Sequence, residues 1–269
     1  MYPVLLQFGN FELRSYGVMV ALSFAIALWM SSKEAERKGL DPKLIQDFAV
    51  YGLLGGILGA RIYFVLFSDP AYFLQNPWEL LAVWHGGIGV IGSLIGGSLV
   101  AIWYCRKNNI SFWRFGDILV PGIALGQTVG QLACLLNGDS YGRPTDLPWA
   151  ITYTDPRSLA PLNIPLHPIE IYEMVAYFAL FLLVWKTRTK YQSDGFTLFT
   201  YLFAYGFARF LVEFFRGNPA IFAVEIPAAQ VLGAAMVVTS MSGFLWFKFN
   251  RSFRFARWIL RVKENHYER

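Results

Sequence analysis

Long apolar stretches, interrupted at regular intervals by short polar segments, dominate this 269-residue chain. Stretches long and apolar enough to cross a bilayer as an α-helix, which takes about 20 residues, occur near 16–33, 46–68, 86–105, 115–136, 167–186, 196–215 and 227–247. The pattern predicts an all-α integral membrane protein of about seven transmembrane helices, one polytopic membrane domain over residues 1–269. The longest segment between spans is 137–166, which holds Gly138, Gly142, Pro144, Pro148, Pro156, Pro161 and Pro165 and therefore reads as turns and loop. Residues 1–14 lack a basic start, and no small-residue cleavage site follows the first span, so that span is expected to be retained.

Composition sharpens this picture. With 55 % hydrophobic and 15 % charged residues and a mean hydropathy of +0.41, the chain is too apolar for an ordinary soluble domain. Seventeen of its 23 lysines and arginines fall between spans 1 and 2, 3 and 4, and 5 and 6, or in the tail 248–269. The positive-inside rule makes those segments cytoplasmic. The N-terminus is then outside, the C-terminus inside, and the 137–166 loop extracytoplasmic. The basic tail comes with no nucleic-acid motif and is expected to lie on the anionic inner leaflet, with no nucleic acid as partner. Cys105 and Cys134 both sit in predicted spans, and His85, His167 and His266 are scattered, so neither a disulfide framework, a metal site nor a cofactor is expected.

The six basic residues outside the topology pattern are all arginine: Arg14, Arg61, Arg143, Arg157, Arg209 and Arg216. Tyr205, Arg209, Glu213 and Arg216 are spaced i, i+4, i+8 and i+11, which puts them on one face of a helix. A charge at the bilayer centre costs about 3 kcal/mol, so such a stripe belongs toward a protein interior or a wet cavity. Arginine keeps its charge when buried and offers a rigid fork of donors to phosphate or carboxylate. Pairing between helices would explain any one of these arginines; the group reads as an anion site. The many glycines of spans 2 to 4 are explained mostly by close helix packing. The exception is Trp84-His85-Gly86-Gly87 at an outer membrane edge, where bare backbone suits a lipid headgroup. At the next outer edges lie Asn137-Gly138-Asp139-Ser140-Tyr141-Gly142-Arg143-Pro144 and His167-Pro168-Ile169-Glu170-Ile171-Tyr172-Glu173. In the second of these Pro168 suits a first helical turn, and helix-end stabilisation accounts for Glu170.

Taken in order, these motifs, with Arg14-Ser15-Tyr16-Gly17 before them and Gly59-Ala60-Arg61-Ile62-Tyr63 in span 2, resemble the prolipoprotein diacylglyceryl transferase family over nearly the whole chain. The resemblance implies a multi-pass protein of the bacterial cytoplasmic (inner) membrane. Its substrates would be phosphatidylglycerol and a preprolipoprotein bearing a lipobox cysteine. The diacylglyceryl group would pass to the cysteine thiol as a thioether, and glycerol phosphate would be released. It further implies that Arg209 contacts the phosphate while Glu213 and Arg216 orient it or one another. Tyr16, Arg61, Tyr205, Gly86 and Gly87 would line the lipid side. Asn137, Asp139, Gly142, Arg143 and His167 would form the outer rim where the peptide enters.

The chain also departs from the family pattern. Gln131 stands where the family carries a phosphate-side arginine, and Cys134 where it carries an asparagine. Ile91 occupies the place of a histidine proposed to assist the thiol, for which His85 is the nearby substitute. Glu170 replaces a usual glutamine, and Ala229-Gln230 a Gly-Gln. These departures motivate an alternative, a catalytically altered or inactive paralogue that binds an anionic phospholipid without transferring it. A small-solute transporter is disfavoured because the two halves of the chain show no duplicated pattern.

Overall fold

A computed structural model describes the chain except residues 1, 2, 10, 68, 69, 81, 83–86, 88, 191, 192, 218–220, 224, 225, 268 and 269, and only the backbone of 8, 11, 71, 221–223, 226 and 248–267. His85 and Gly86 therefore lie outside the described residues. The described chain is helical: α1 (Ser15–Arg37), α2 (Lys43–Phe67), a short α3 (Pro70–Gln75), α4 (Val90–Lys107), α5 (Phe112–Asn137), α6 (Ile169–Lys190), α7 (Phe196–Val212) and α8 (Ala228–Tyr267). Three two-stranded antiparallel sheets join them, β1 (Val4–Phe8) with β2 (Phe11–Arg14), β3 (Ile151–Thr152) with β4 (Pro165–Leu166), and β5 (Ile221–Ala223) with β6 (Ile226–Pro227). Among the described residues, five helical segments are long and apolar enough to cross a membrane: α1, α2, α5, residues Phe196–Phe215 and residues Ala228–Phe247. Two predicted spans fall outside that group. Helix α4 has 18 residues and ends in Arg106 and Lys107, while α6 opens with Glu170 and Glu173 among its apolar residues.

The helices fall into two compact units, Leu28–Gly122 on one hand and Met1–Ala27 with Ile123–Arg269 on the other. In the first unit, α1 and α4 end alike. Gly39 and Asn109 adopt positive φ, at 71° and 55°. The next residues, Leu40 and Ile110, donate back to the carbonyls of Ala35 and Cys105, both at 2.9 Å. Leu40 and Ile110 then pack against one core of Ala35, Ile45, Tyr104, Cys105, Phe115 and Ile118. Helix α2 lies against α4 along a glycine seam: a Cβ on Gly92 would stand 2.2 Å from the Gly59 carbonyl oxygen, and one on Gly96 2.2 Å from that of Gly55. Backbone contact this close needs residues without side chains and lets dispersion and weak Cα–H···O contacts join the helices.

The second unit is built the same way. Helix α7 meets α8 where Gly206 and Gly233 face one another, each Cβ position lying 2.5 or 2.6 Å from the other's carbonyl oxygen. Helix α6 packs on α7, and its residues Glu170, Glu173, Tyr177, Leu180 and Val184, spaced three or four apart, are all buried. Two of those positions are carboxylates, and the site grows from them.

The α2–α4 seam makes a direct prediction. Gly92→Ala forces a methyl into backbone and should lower stability by about 1–3 kcal/mol, the usual cost of overpacking. Gly97→Ala, with nothing within 4 Å of its added Cβ, should change the thermal midpoint in detergent little. Equal midpoints for the two variants would contradict the seam.

Candidate functional site

Backbone hydrogen bonds bring three segments of the second unit together. Residues 141–145 run between the chain before α6 and the chain after α7. On one side Arg143 N–H donates to the Phe215 carbonyl at 2.8 Å, and Gly217 N–H to that of Tyr141 at 2.9 Å. On the other, His167 N–H donates to the Arg143 carbonyl and Thr145 N–H to that of Pro165, both at 3.0 Å. The strands approach too closely for side chains at the crossing: a Cβ on Gly142 would lie 2.4 Å from the His167 carbonyl oxygen. This strap ties Arg143 and His167 to Arg216, three rim positions that lie far apart in sequence.

Under the strap, α7 tightens into a 3-10 turn, Glu213–Phe215, and Arg216 leaves the helix in an extended conformation. The stripe read from the sequence then closes into a ring with a residue of α6. Glu173 Oε1 accepts from Arg209 Nη1 and, at 2.7 Å, from Arg216 Nη2. Glu213 Oε2 accepts from Arg216 Nε at 3.1 Å and from Arg209 Nη2 at 3.4 Å. Two arginines and two glutamates thus alternate, and their formal charges cancel. The glutamate side chains are 3 % and 2 % exposed, the arginines 20 % and 13 %. Arg216 commits its remaining Nη1 to the Ser140 hydroxyl at 2.7 Å. Arg209 also meets the Tyr177 hydroxyl and is the more open of the two cations.

A tyrosine ladder backs Arg209. Tyr177 stacks on Tyr205 with ring centroids 5.4 Å apart, and Tyr205 on Tyr201 at 5.5 Å. The Tyr201 hydroxyl donates to Gln127 Oε1 at 2.8 Å, which links α7 to α5. One turn further along α5 is Gln131, whose Oε1 is buried and receives no hydrogen bond among the described residues. Next on that face comes Cys134, within electrostatic reach of Asp139, Glu170 and Glu173. Tyr16 of α1, 43 % exposed, lies in reach of Cys134 and Asp139. Asn137 Nδ2 donates to Asp139 Oδ2 at 3.2 Å.

The loop is anchored through Glu170. The Tyr153 hydroxyl, on a side chain with no exposure, donates to Glu170 Oε1 at 2.8 Å. Burial and the adjacent Glu170 carboxylate push the Tyr153 phenol well above its ordinary range, so it remains the donor. On the open side of the loop the Arg157 guanidinium, hydrogen-bonded to Asp155, holds that carboxyl down at about 2.

Residues expected at the site thus divide. Tyr16, Gln131, Asn137, Asp139, Gly142, Arg143, His167, Tyr205, Arg209, Glu213 and Arg216 all belong to the second unit. Arg61 and Gly87 belong to the first. There Arg61, 5 % exposed, donates to the carbonyls of Leu80 at 3.2 Å, Gly87 at 3.0 Å and Glu79, with its guanidinium over the rings of Phe64 and Phe73. The residues that sequence reasoning left without a role are Glu173, Ser140 and Tyr177. Their signal was the spacing Ile169, Glu170, Glu173, Tyr177 on α6, which continues a buried face through two carboxylates.

Arginines gathered on a buried helix face beneath a backbone strap mark a helical membrane protein with an intramembrane charged site, and a guanidinium fork suits carboxylate or phosphate. Comparison with known proteins agrees. The family pattern of prolipoprotein diacylglyceryl transferases matches residues 3–246. The chain is 36 % identical over 251 residues to the phosphatidylglycerol–prolipoprotein diacylglyceryl transferase of Aliivibrio fischeri (strain MJ11), covering 91 % of this chain and 87 % of that one. It is 37 % identical to the protein of that name in Aliivibrio salmonicida, with the same coverage. In Synechococcus elongatus the figure is 32 % over 252 residues, 91 % of this chain and 86 % of the relative. The chain belongs to the prolipoprotein diacylglyceryl transferase family.

Glu173→Gln leaves two buried guanidiniums sharing one carboxylate. Thermal unfolding in detergent should show a loss of about 3 kcal/mol or more, the usual result of breaking a buried pair by removing one partner. A midpoint equal to wild type would mean that Glu173 does not hold the ring together.

Proposed function

We propose that this chain transfers the diacylglyceryl group of phosphatidylglycerol to the lipobox cysteine of a preprolipoprotein. The observation that carries the reading is the charge-neutral Arg209–Glu173–Arg216–Glu213 ring beneath the outer strap. In the reaction the thiol loses its proton to a base and sulfur attacks the glyceryl carbon. The carbon–oxygen bond to phosphate breaks, and the oxygen keeps the electron pair. Glycerol phosphate leaves with one more negative charge than the phosphodiester carried. Groups aimed at that oxygen act more strongly as the charge grows, which is the condition for lowering a barrier.

Arg209 is the phosphate ligand in this reading. It is the more open cation of the ring, and its contact with Glu213, at 3.4 Å the longest in the ring, is the one an incoming phosphate displaces. Glu173 and Arg216 keep the fork in place while that exchange occurs. Tyr205 and Tyr16 flank the lipid, and Asn137, Asp139, Gly142, Arg143 and His167 form the side where the peptide arrives. Gln131 supplies no charge, so Arg209 works with less help than a second guanidinium on α5 would give. Arg61 and Gly87 enter as lipid-side residues; Gly86 and His85, outside the described residues, keep the roles the resemblance implies, Gly86 on the lipid side and His85 assisting the thiol.

The membrane arrangement we infer is the seven-span one, N-terminus outside and C-terminus in the cytoplasm of a bacterial inner membrane. Helices α4 and α6 then cross with the rest. A reporter that works only in the cytoplasm should be active when fused at the C-terminus and silent when inserted in the 137–166 loop; the reverse result would invert this topology.

The activity is tested with purified protein, phosphatidylglycerol and a lipobox peptide. The peptide should gain the mass of one diacylglyceryl unit, and Arg209→Ala should slow this by about a hundredfold or more, the effect of losing a preorganised charge-stabilising donor. No mass gain with wild type, under conditions where a relative is active, would overturn the reading.

A further inference from the structure

Trp149 sits on the outer loop, 56 % exposed, yet it is hydrogen-bonded toward the site's rim. Its Nε1–H donates to the Tyr172 hydroxyl at 2.8 Å, and that hydroxyl lies 3.2 Å from His167 Nδ1. An indole N–H can only donate. The Tyr172 oxygen is therefore the acceptor in the first bond and keeps its own hydrogen for another. The hydroxyl hydrogen has His167 Nδ1 within reach. Donation running from Trp149 through Tyr172 to His167 uses that hydrogen, and each bond then polarises the next; a protonated Nδ1 would reverse the second bond.

The histidine at the end of this chain is held on every side. Its ring packs at 5.2 Å on Phe215 and at 6.0 Å on Tyr172, and its backbone N–H is tied to Arg143. A neutral imidazole whose Nδ1 accepts carries its hydrogen on Nε2. The side chain then presents one N–H beside the strap that ties Arg143 and Arg216 together. An uncharged donor suits an uncharged acceptor; the phosphate is better matched by the arginines.

We propose that Trp149 is a positioning residue: acting through Tyr172, it fixes His167 as the neutral tautomer with hydrogen on Nε2, and this N–H binds a backbone carbonyl of the acceptor peptide at the outer rim. The proposal rests on the transferase reading for the identity of the peptide, and on the Trp149, Tyr172 and His167 geometry for the tautomer. It makes an exposed loop tryptophan part of acceptor recognition rather than of lipid binding or chemistry.

The test has two arms on the full-length protein in lipid nanodiscs. In the first, 15N-histidine spectra are recorded, with the His167 signals assigned by their loss in His167→Gln. Nδ1 should resonate as an unprotonated nitrogen and Nε2 as a protonated one, and the Nδ1 signal should move in both Trp149→Phe and Tyr172→Phe. A protonated Nδ1, or a signal indifferent to both substitutions, overturns the proposal. In the second arm, each substitution should raise KM for a lipobox peptide about fivefold, the factor of one ordinary hydrogen bond. KM for phosphatidylglycerol and kcat should stay near wild type, and the double variant should be no worse than either single one. Additive losses, or losses in kcat instead of peptide KM, overturn it. The spectra need no turnover, so absence of transfer would defeat the functional reading while the tautomer stood or fell separately.

Discussion

The site depends on one interaction, the acceptance by Glu173 of hydrogen bonds from both arginines. Without it Arg209 and Arg216, two turns apart in an apolar segment, would share the single carboxylate of Glu213. With it, and with Glu213 on the other side, each cation has an anion on either hand and the group is neutral. A neutral ring can be buried among apolar helices at tolerable cost. If a phosphodiester took the place of Glu213 on Arg209, Glu213 would keep its bond to Arg216, and the group would carry one net negative charge. The same arrangement explains how two arginines are held in an apolar segment.

Geometry around the ring is secured by backbone more than by side chains. A glycine seam brings α7 and α8 into backbone contact at Gly206–Gly233. That seam fixes α7, the helix that carries Arg209. The strap of residues 141–145 then fixes the end of α7 by backbone hydrogen bonds, which side-chain changes other than to proline leave in place. Ser140, immediately before that strap, reaches the ring itself through Arg216. Loop and helix are thereby parts of one constellation, although more than 60 residues separate them in the chain.

Much of this was legible in the sequence, for identifiable reasons. Apolar length marks spans, and five of the seven expected spans stand on length and composition; α4 and α6 weaken the signal because charged residues fall within their bounds. The stripe Tyr205, Arg209, Glu213, Arg216 was readable because helical spacing is enough to align it. Its partner was not, since nothing in a single chain says which helix face will oppose another. Glu173 looked like an ordinary acid near a helix start, whereas packing makes it the hub. Trp149 and Tyr153 were equally silent: each acts through a hydrogen bond to α6 across a proline-rich loop, and no periodicity encodes that. For Arg61 the sequence suggested a lipid-side role but not its surroundings, three carbonyls and two rings around the guanidinium.

The central claim is that the ring receives a phosphodiester through the fork of Arg209. Native mass spectrometry of the protein released from nanodiscs containing equal phosphatidylglycerol and phosphatidylethanolamine tests it most directly, wild type against Arg209→Lys, which keeps the charge and loses the fork. The account predicts that wild type retains phosphatidylglycerol preferentially and that Arg209→Lys loses this preference. Equal retention of phosphatidylglycerol by both proteins would contradict it.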